Sequence, residues 1–209
     1  MERGIRFKGQ FAILLLLASL APAVAAARRP VDATHSRVLV DVSKSGFLSV
    51  FAHDHSIQAP IASGYVDSGQ RAAVELRFET GNLRVLDPEL PADTRQEIEQ
   101  TMLGSKVLDA SQFPEILFVS RSVAGKGPGG WRVVGELTLH GQTHPVTLDV
   151  AESGGVYEGS VEIRQTDFGI KPIQLARGTV KVKDVVLIHF EIRLQVPAQS
   201  NERKTSKIP

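Results

Sequence analysis

Two histidines separated by one aspartate stand in the stretch FAHDHSIQAP, residues 51–60. The chain has six histidines in all, so the placement of His53 and His55 within three positions asks for a chemical explanation. On a β-strand the two side chains would share one face, with α-carbons about 7 Å apart. Imidazole is a common ligand for Zn, Cu and Ni, so the pair could share one divalent metal ion. His53 and His55 are therefore candidate metal ligands.

The pair does not make a complete metal site by itself. A structural zinc takes four protein ligands and a catalytic zinc at least three. His35, His144 or an acidic residue would have to complete the set, and the sequence does not place them. The alternative is that the two histidines lie at a strand end, in water or hydrogen-bonded to the backbone and Asp54. The sequence favours this second interpretation.

A catalytic interpretation of the same stretch is weaker. Asp54 could orient a histidine as general base, with Ser49 or Ser56 as nucleophile. However, Ser56 adjoins His55, and neighbouring side chains on a strand point to opposite faces. No G-x-S-x-G nucleophile elbow accompanies these residues. We therefore expect no enzymatic activity at this stretch.

Most of the chain alternates apolar and polar residues with a period of two. Such alternation is typical of half-buried antiparallel strands. The segments that show it are RVLVDV (37–42), AVELRFE (73–79), WRVVGELTLH (131–140), PVTLDV (145–150), VYEGSVEIR (156–164) and VVLIHFEIRLQV (185–196).

Glycine-rich turns connect these segments, and one helix interrupts them. The turns at 125–130, 140–144 and 152–155 predict that successive strands pair with each other as an up-and-down meander. Residues 91–103 predict a helix, with Asp93 and Gln96 at capping-box spacing and Gly104 as the stop. With at least seven strands, closing the sheet removes its exposed edges. The residues thus predict an all-β barrel with a small helical insertion.

The first 27 residues predict a signal peptide. Arg3, Arg6 and Lys8 precede the apolar run FAILLLLASLAPAV, and cleavage is expected near Ala25–Ala27. We therefore expect a periplasmic or secreted protein with no stable membrane span after cleavage. Residues 28–197 form the predicted domain, and residues 198–209 a disordered polar tail.

Charge and composition exclude several classes of function. The full chain carries 24 basic and 23 acidic side chains, and loss of residues 1–27 leaves 21 and 22, a net charge of −1. This balance gives no electrostatic reason to expect nucleic acid as a partner. The chain contains no cysteine, so disulfides, thiolate metal clusters and cysteine nucleophiles are excluded.

Four blocks of sequence resemble a known family. VDATHSRVLVDV (31–42), DASQFPEILFVS (109–120), VVGELTLHGQTHPVTLDV (133–150) and IRQTDFGIKP (163–172) are similar, in order, to the signature blocks of the YceI-like family. The similarity is strongest in GELTLHGQTHPVTL and QTDFGI, and it extends from Val31 to about Val196. One stretch departs: where this chain reads SVFAHDHSIQAPIASGYV, family members generally have a glycine- and phenylalanine-rich run. A head-group contact therefore cannot be carried over onto His53 or His55.

The resemblance implies a lipocalin-like, eight-stranded antiparallel β-barrel in the periplasm or outside the cell. It also implies a long apolar ligand inside the barrel, such as a polyisoprenoid, an isoprenoid quinone or a similar lipid. A homodimer is a further implication, whereas an enzymatic activity or a cofactor is not. A periplasmic metal-binding protein that uses His53 and His55 is the alternative function.

Alternation indicates which side chains face the barrel interior, where they would remove an apolar ligand from water. Whether they enclose a cavity or merely fill a core is not decided by the pattern. The candidate ligand-binding residues are Val74, Leu76, Phe78, Ile116, Phe118, Leu137, Leu139, Val161 and Ile163.

Overall fold

The structure is a computed structural model that describes residues 28–45, 54–69, 71–175 and 180–196. The predicted signal peptide, the predicted polar tail at 198–209 and His53 lie outside the described residues. None of the helices within the described part of the chain has the length and apolarity that a membrane span requires.

The described residues form fourteen strands and one α-helix. The helix, α1, spans Ala92–Leu103. The strands are β1 (Arg28–Pro30), β2 (Arg37–Val42), β3 (Lys44–Ser45), β4 (His55–Gln58), β5 (Ile61–Asp67), β6 (Ala73–Glu79), β7 (Arg84–Val85), β8 (Glu115–Gly125), β9 (Gly130–Leu139), β10 (Gln142–Ser153), β11 (Val156–Arg164), β12 (Gln174–Leu175), β13 (Val180–Val182) and β14 (Val185–Arg193).

Eleven of these strands form one antiparallel sheet. Its order is β1, β5, β6, β8, β9, β10, β11, β14, β2, β4 and β7. The run from β8 to β11 is the predicted meander, in which each strand pairs with the next one in the chain. The remaining strands form a small sheet in the order β12, β13 and β3.

Hydrogen bonds between the start and the end of the domain close the large sheet into a barrel. Val31 forms a bridge with Leu194, and the Gln195 amide donates to the Pro30 carbonyl at 2.9 Å. The residues that follow β1 therefore lie between β5 and the end of β14. Closure removes the two sheet edges that would otherwise stay unpaired.

The eleven strands occupy eight positions around the barrel wall. β1 and β2, β4 and β5, and β6 and β7 are each consecutive halves of one interrupted strand, as their shared partners show. The interruptions fall at residues 31–36, at Ala59 and Pro60, and at the 3₁₀ turn Thr80–Asn82. The predicted eight-stranded antiparallel barrel is confirmed, with three strands bent so that they count as two segments each.

The helix forms where it was predicted, but its start differs from the prediction. α1 begins at Ala92, Pro91 is its N-cap, and no side chain caps it. Asp93 therefore lies in the first turn, where its carboxylate accepts a hydrogen bond from the Thr94 amide at 2.8 Å. The predicted capping box of Asp93 and Gln96 is wrong, because Pro91 occupies the N-cap and Asp93 is already the second residue of the helix.

Asp167, Phe168 and Gly169, within the QTDFGI block, have a structural role. The first two lie in the 3₁₀ turn Gln165–Phe168, and Gly169 follows with φ of 72°, a conformation that glycine adopts at little cost. Phe168 is only 2% exposed and packs against the edge of the His144 ring. Its carbonyl lies 3.1 Å from Nδ1 of His140.

Two glycines of the barrel wall make room for phenylalanine rings. A Cβ at Gly135 would lie 2.5 Å from Cζ of Phe118 and 2.7 Å from the Val119 carbonyl oxygen. A Cβ at Gly159 would lie 2.6 Å from Cζ of Phe190. The rings can therefore lie against the wall rather than project toward the barrel axis.

We expect Gly135→Ala to lower the free energy of unfolding by about 1–3 kcal/mol, because the new methyl group overpacks the wall and pushes on backbone as well as on Phe118. Gly81→Ala is the matched control, since a Cβ there meets nothing within 4 Å. Urea unfolding of both variants measures the difference. Equal stability of the two variants would contradict the close packing at Gly135.

Candidate ligand-binding cavity

A cavity of about 680 Å³ runs through the barrel interior. Its wall consists mainly of the alternate apolar side chains that point inward from the strands, as the period of two requires. β2 contributes Val38, Val40 and Val42, and β14 contributes Val186, Ile188, Phe190 and Ile192. The interior is therefore partly empty, and the side chains do not fill it.

All nine residues that the alternation selected lie on the wall of this one cavity. Phe78, Phe118 and Ile163 are buried, and the other six are partly exposed toward the cavity space. That they contact a ligand remains a prediction. The nine are Val74, Leu76, Phe78, Ile116, Phe118, Leu137, Leu139, Val161 and Ile163.

The nine residues are only part of the wall. β10 adds Val146, Leu148 and Val150, which follow the same alternation and could have been selected by it. Other lining residues carry no periodic signal, because they come from connections that fold over the barrel. Ile98 and Met102 of α1 and Ile173 before β12 are of this kind.

Helix α1 packs beside the last segment of a bent strand. The Glu99 carboxylate accepts a hydrogen bond from the Val85 amide of β7 at 3.1 Å. The Arg95 guanidinium donates to the Leu90 carbonyl at 2.6 Å, which fixes the loop before the helix. Ile98 and Met102 thereby line the cavity at the end of the barrel where β7 ends and β4 begins.

Lys44 and His55 bring polar groups into the cavity wall at this same end. Lys44 continues the inward row of Val40 and Val42, and His55 pairs with Val42 across the β2–β4 ladder. Lys44 lies two residues after Val42, in β3, so both side chains lie on the cavity wall near Val42. They are the basic side chains that line the cavity among the described residues.

A buried aspartate holds the His55 ring. Nδ1 of His55 lies 2.5 Å from Oδ2 of Asp87, and the other carboxylate oxygen accepts a bond from the Ser56 amide at 2.9 Å. The side chains of His55 and Asp87 are 14% and 3% exposed. In this hydrogen bond the Nδ1–H group of His55 donates and the carboxylate oxygen of Asp87 accepts. Nε2 is left for another partner.

The charge environment of Lys44 is mixed. Burial lowers the pKa of the Lys44 ammonium below its ordinary value, while the Asp54 and Asp87 carboxylates act in the opposite direction. The Lys44 backbone amide donates to Oδ1 of Asp54 at 2.9 Å. The two carboxylates thus offset the positive charge of Lys44 at this end of the cavity.

The predicted metal pair is not tested in full by this geometry. His53 lies outside the described residues, and within those that are described no group of three or more His, Cys, Asp or Glu side chains could hold a metal ion. His55 has its partner in Asp87, which is 32 positions away in the chain. Sequence reasoning missed Asp87, because no local pattern joins the two.

A model of the YceI-like domain matches residues 30–194 of the chain. Relatives at the sequence level carry the name UPF0312 protein. One from Shewanella denitrificans is 36% identical over 97 residues, which is 42% of this chain and 50% of that protein. One from Vibrio cholerae is 27% identical over 113 residues, covering 46% and 60% of the two chains. The matched region thus spans about half the length of these relatives.

Solved structures share the fold. Burkholderia cenocepacia BcnA superposes with a TM-score of 0.57 at 19% identity, covering 79% of this chain and 99% of BcnA. A polyisoprenoid binding domain from Saccharophagus degradans gives a TM-score of 0.54 at 14% identity, covering 80% and 98%. At these identities the similarity establishes the architecture of the barrel and no more.

Proposed function

Because this chain belongs to the YceI-like family, we propose that it is a binding protein that holds one long apolar molecule in its barrel. The single observation that carries the proposal is the cavity of about 680 Å³ with a predominantly apolar wall. Removing apolar surface from water contributes roughly 25 cal/mol per Å², so a long hydrocarbon chain gains affinity along its whole length.

The ligand class that we propose is a polyisoprenoid, an isoprenoid quinone or a similar lipid. A branched, repeating chain matches a wall built from Val, Leu, Ile and Phe side chains, which offer apolar contact all along the barrel. The polyisoprenoid binding domain of Saccharophagus degradans, which has the same fold, supports this class.

We further propose that the protein acts without catalysis. Among the described residues, the His55 ring is hydrogen-bonded to Asp87 and no hydroxyl side chain is bonded to it, so no serine or threonine is activated as a nucleophile. A carrier needs shape and desolvation, which the wall supplies, and no reacting group.

The periplasm is the proposed location, on the basis of the basic and then apolar residues before Ala25–Ala27. The homodimer implied by the family resemblance stays a prediction. Osmotic-shock fractionation with N-terminal sequencing tests the location: a mature chain starting near residue 28 in the periplasmic fraction supports it, and an uncut chain in the cytoplasm contradicts it.

Ligand uptake tests the function itself. We expect delipidated protein, mixed with phospholipid vesicles that contain geranylgeraniol, to elute from gel filtration with about one molecule of the prenol per chain, because the cavity offers one continuous space. The control is the same protein after thermal unfolding. Absence of prenol from the folded fraction, with folding verified by circular dichroism, would contradict the proposal.

A further inference from the structure

The polar end of the cavity suggests which head group the ligand carries. We propose that Lys44 and His55 bind an uncharged oxygen, a hydroxyl or a carbonyl, at the end of the apolar ligand. This inference rests on the proposed function and adds the chemistry of the head group to it. It assigns the His-Asp-His stretch a role through His55 that needs no metal ion.

The position of Lys44 and His55 fits contact with the end of a ligand chain. Lys44 and His55 stand at the end of an otherwise apolar inward row, where β2 and β4 reach the end of the barrel near α1. A ligand chain that lies along Val38, Val40 and Val42 brings its terminus to these two side chains. A polar group buried at this end needs hydrogen-bond partners there, because water is excluded when the chain fills the cavity.

The orientation of the His55 ring leaves one of its nitrogens for a ligand. Nδ1 of His55 donates a hydrogen bond to Asp87, so the ring is fixed and its Nε2 is the atom left for a ligand. The Lys44 ammonium supplies donors, and within the described part of the chain it forms no ion pair or side-chain hydrogen bond. A hydroxyl can accept a hydrogen bond from Lys44 and donate one to Nε2 of His55. A carbonyl can accept two hydrogen bonds, from Lys44 and from His55 when Nε2 carries a hydrogen.

The charges around the site favour an uncharged head group. Asp54 contacts the Lys44 backbone, Asp87 contacts His55, and Glu97 of α1 also lines the cavity. These three carboxylates outnumber the single Lys44 ammonium. A phosphate or carboxylate head group would therefore bring uncompensated negative charge into a poorly hydrated site. A metal cation is opposed by the Lys44 ammonium at the same wall.

The opposite end of the cavity offers fewer hydrogen-bonding groups to a ligand. Asp67 and Ser68 line it beside the turn to β6. Oδ1 of Asp67 accepts a hydrogen bond from the Gly69 amide at 2.8 Å, so this carboxylate is already hydrogen-bonded within the turn. Ser68 is exposed to solvent. The buried donors that a head group needs are at the Lys44 end.

The test compares probes that share one chain and differ at the head. Delipidated full-length mature protein is titrated with phytanol, phytanal, phytanyl diphosphate and the hydrocarbon phytane. Trp131, the only tryptophan in the chain, lines the cavity and reports binding by its fluorescence. We expect the alcohol or the aldehyde to bind at least about tenfold more tightly than phytane, and more tightly than the diphosphate. The order of alcohol and aldehyde distinguishes a hydroxyl from a carbonyl ligand.

Matched variants tie the preference to the two side chains. Lys44→Met and His55→Leu are expected to reduce the preference over phytane about tenfold, with phytane binding unchanged. Lys183→Met and His189→Leu are the controls, since both residues are exposed and His189 faces Asp41 on the outer surface at 3.4 Å. If His55→Leu does not fold, the double variant His55→Leu/Asp87→Asn, which removes the buried charge, takes its place.

Three outcomes overturn the inference. The first is that the diphosphate binds most tightly of the four probes. The second is that the preference for an oxygen head group survives in Lys44→Met and in the His55 variants. The third is that zinc chloride binds stoichiometrically to the wild type and that this binding is lost without His55. Each of these leaves the carrier proposal intact, provided that phytane binds. Failure of all four probes to bind would overturn both proposals together.

Discussion

Val161→Asp is expected to weaken the binding of a long apolar ligand by at least about a hundredfold, which corresponds to about 2.7 kcal/mol. Val161 lies in the middle of β11, lines the cavity, and pairs with Ile188 of β14, which lines it as well. A carboxylate there stays hydrated while the cavity is empty. A ligand chain that enters must displace that water and leave the charge without partners.

Ser160→Asp is the matched control for this prediction. It places the same charge one residue earlier on β11, where the side chain is exposed on the outer surface. Tryptophan fluorescence titration with geranylgeraniol, after the unfolding temperature of both variants has been compared, measures the effect. Equal affinities for the two variants would show that the ligand does not occupy the barrel interior.

The second large effect concerns stability. His55→Leu is expected to lower the free energy of unfolding by about 3–5 kcal/mol, because it leaves the Asp87 carboxylate buried without its hydrogen-bond partner. For a domain of this size the melting temperature would fall by roughly 10 °C. The Ser56 amide still contacts Asp87, so part of the carboxylate stays hydrogen-bonded.

The double variant His55→Leu/Asp87→Asn isolates the cause of this loss. The amide oxygen of asparagine can still accept from the Ser56 amide, while the buried charge is gone. We expect it to recover at least about half of the stability lost in His55→Leu. His189→Leu, which breaks the exposed pair with Asp41, should cost no more than about 1 kcal/mol. A double variant no more stable than His55→Leu would contradict a buried charge as the cause.

Much of the barrel could be predicted because the alternation of apolar and polar residues is a property of each single strand. The segments at 37–42, 73–79 and 156–164 coincide with β2, β6 and β11 to the residue. The tight reversal at His140 and Gly141, with φ of 50° and 72°, follows from the glycine in that turn. Both signals are local, so one chain is enough to find them.

What could not be predicted depends on contacts between distant segments. The closure of the barrel depends on contacts such as the hydrogen bond between Gln195 and Pro30. The cavity exists in part because Gly135 gives space to Phe118, which lies across the β8–β9 pair. Asp87 contacts His55 because β7, which precedes Asp87 in the chain, pairs with β4. None of these has a signature within a short window of sequence.

Native mass spectrometry of the protein purified from its native cells without chelators, followed by solvent extraction, is the most direct test of lipid binding in the barrel. We expect one long isoprenoid or similar lipid per chain, lost in Val161→Asp and retained in Ser160→Asp. A chain that carries a stoichiometric metal ion and no lipid would contradict this expectation, and the function would then lie with His53 and His55.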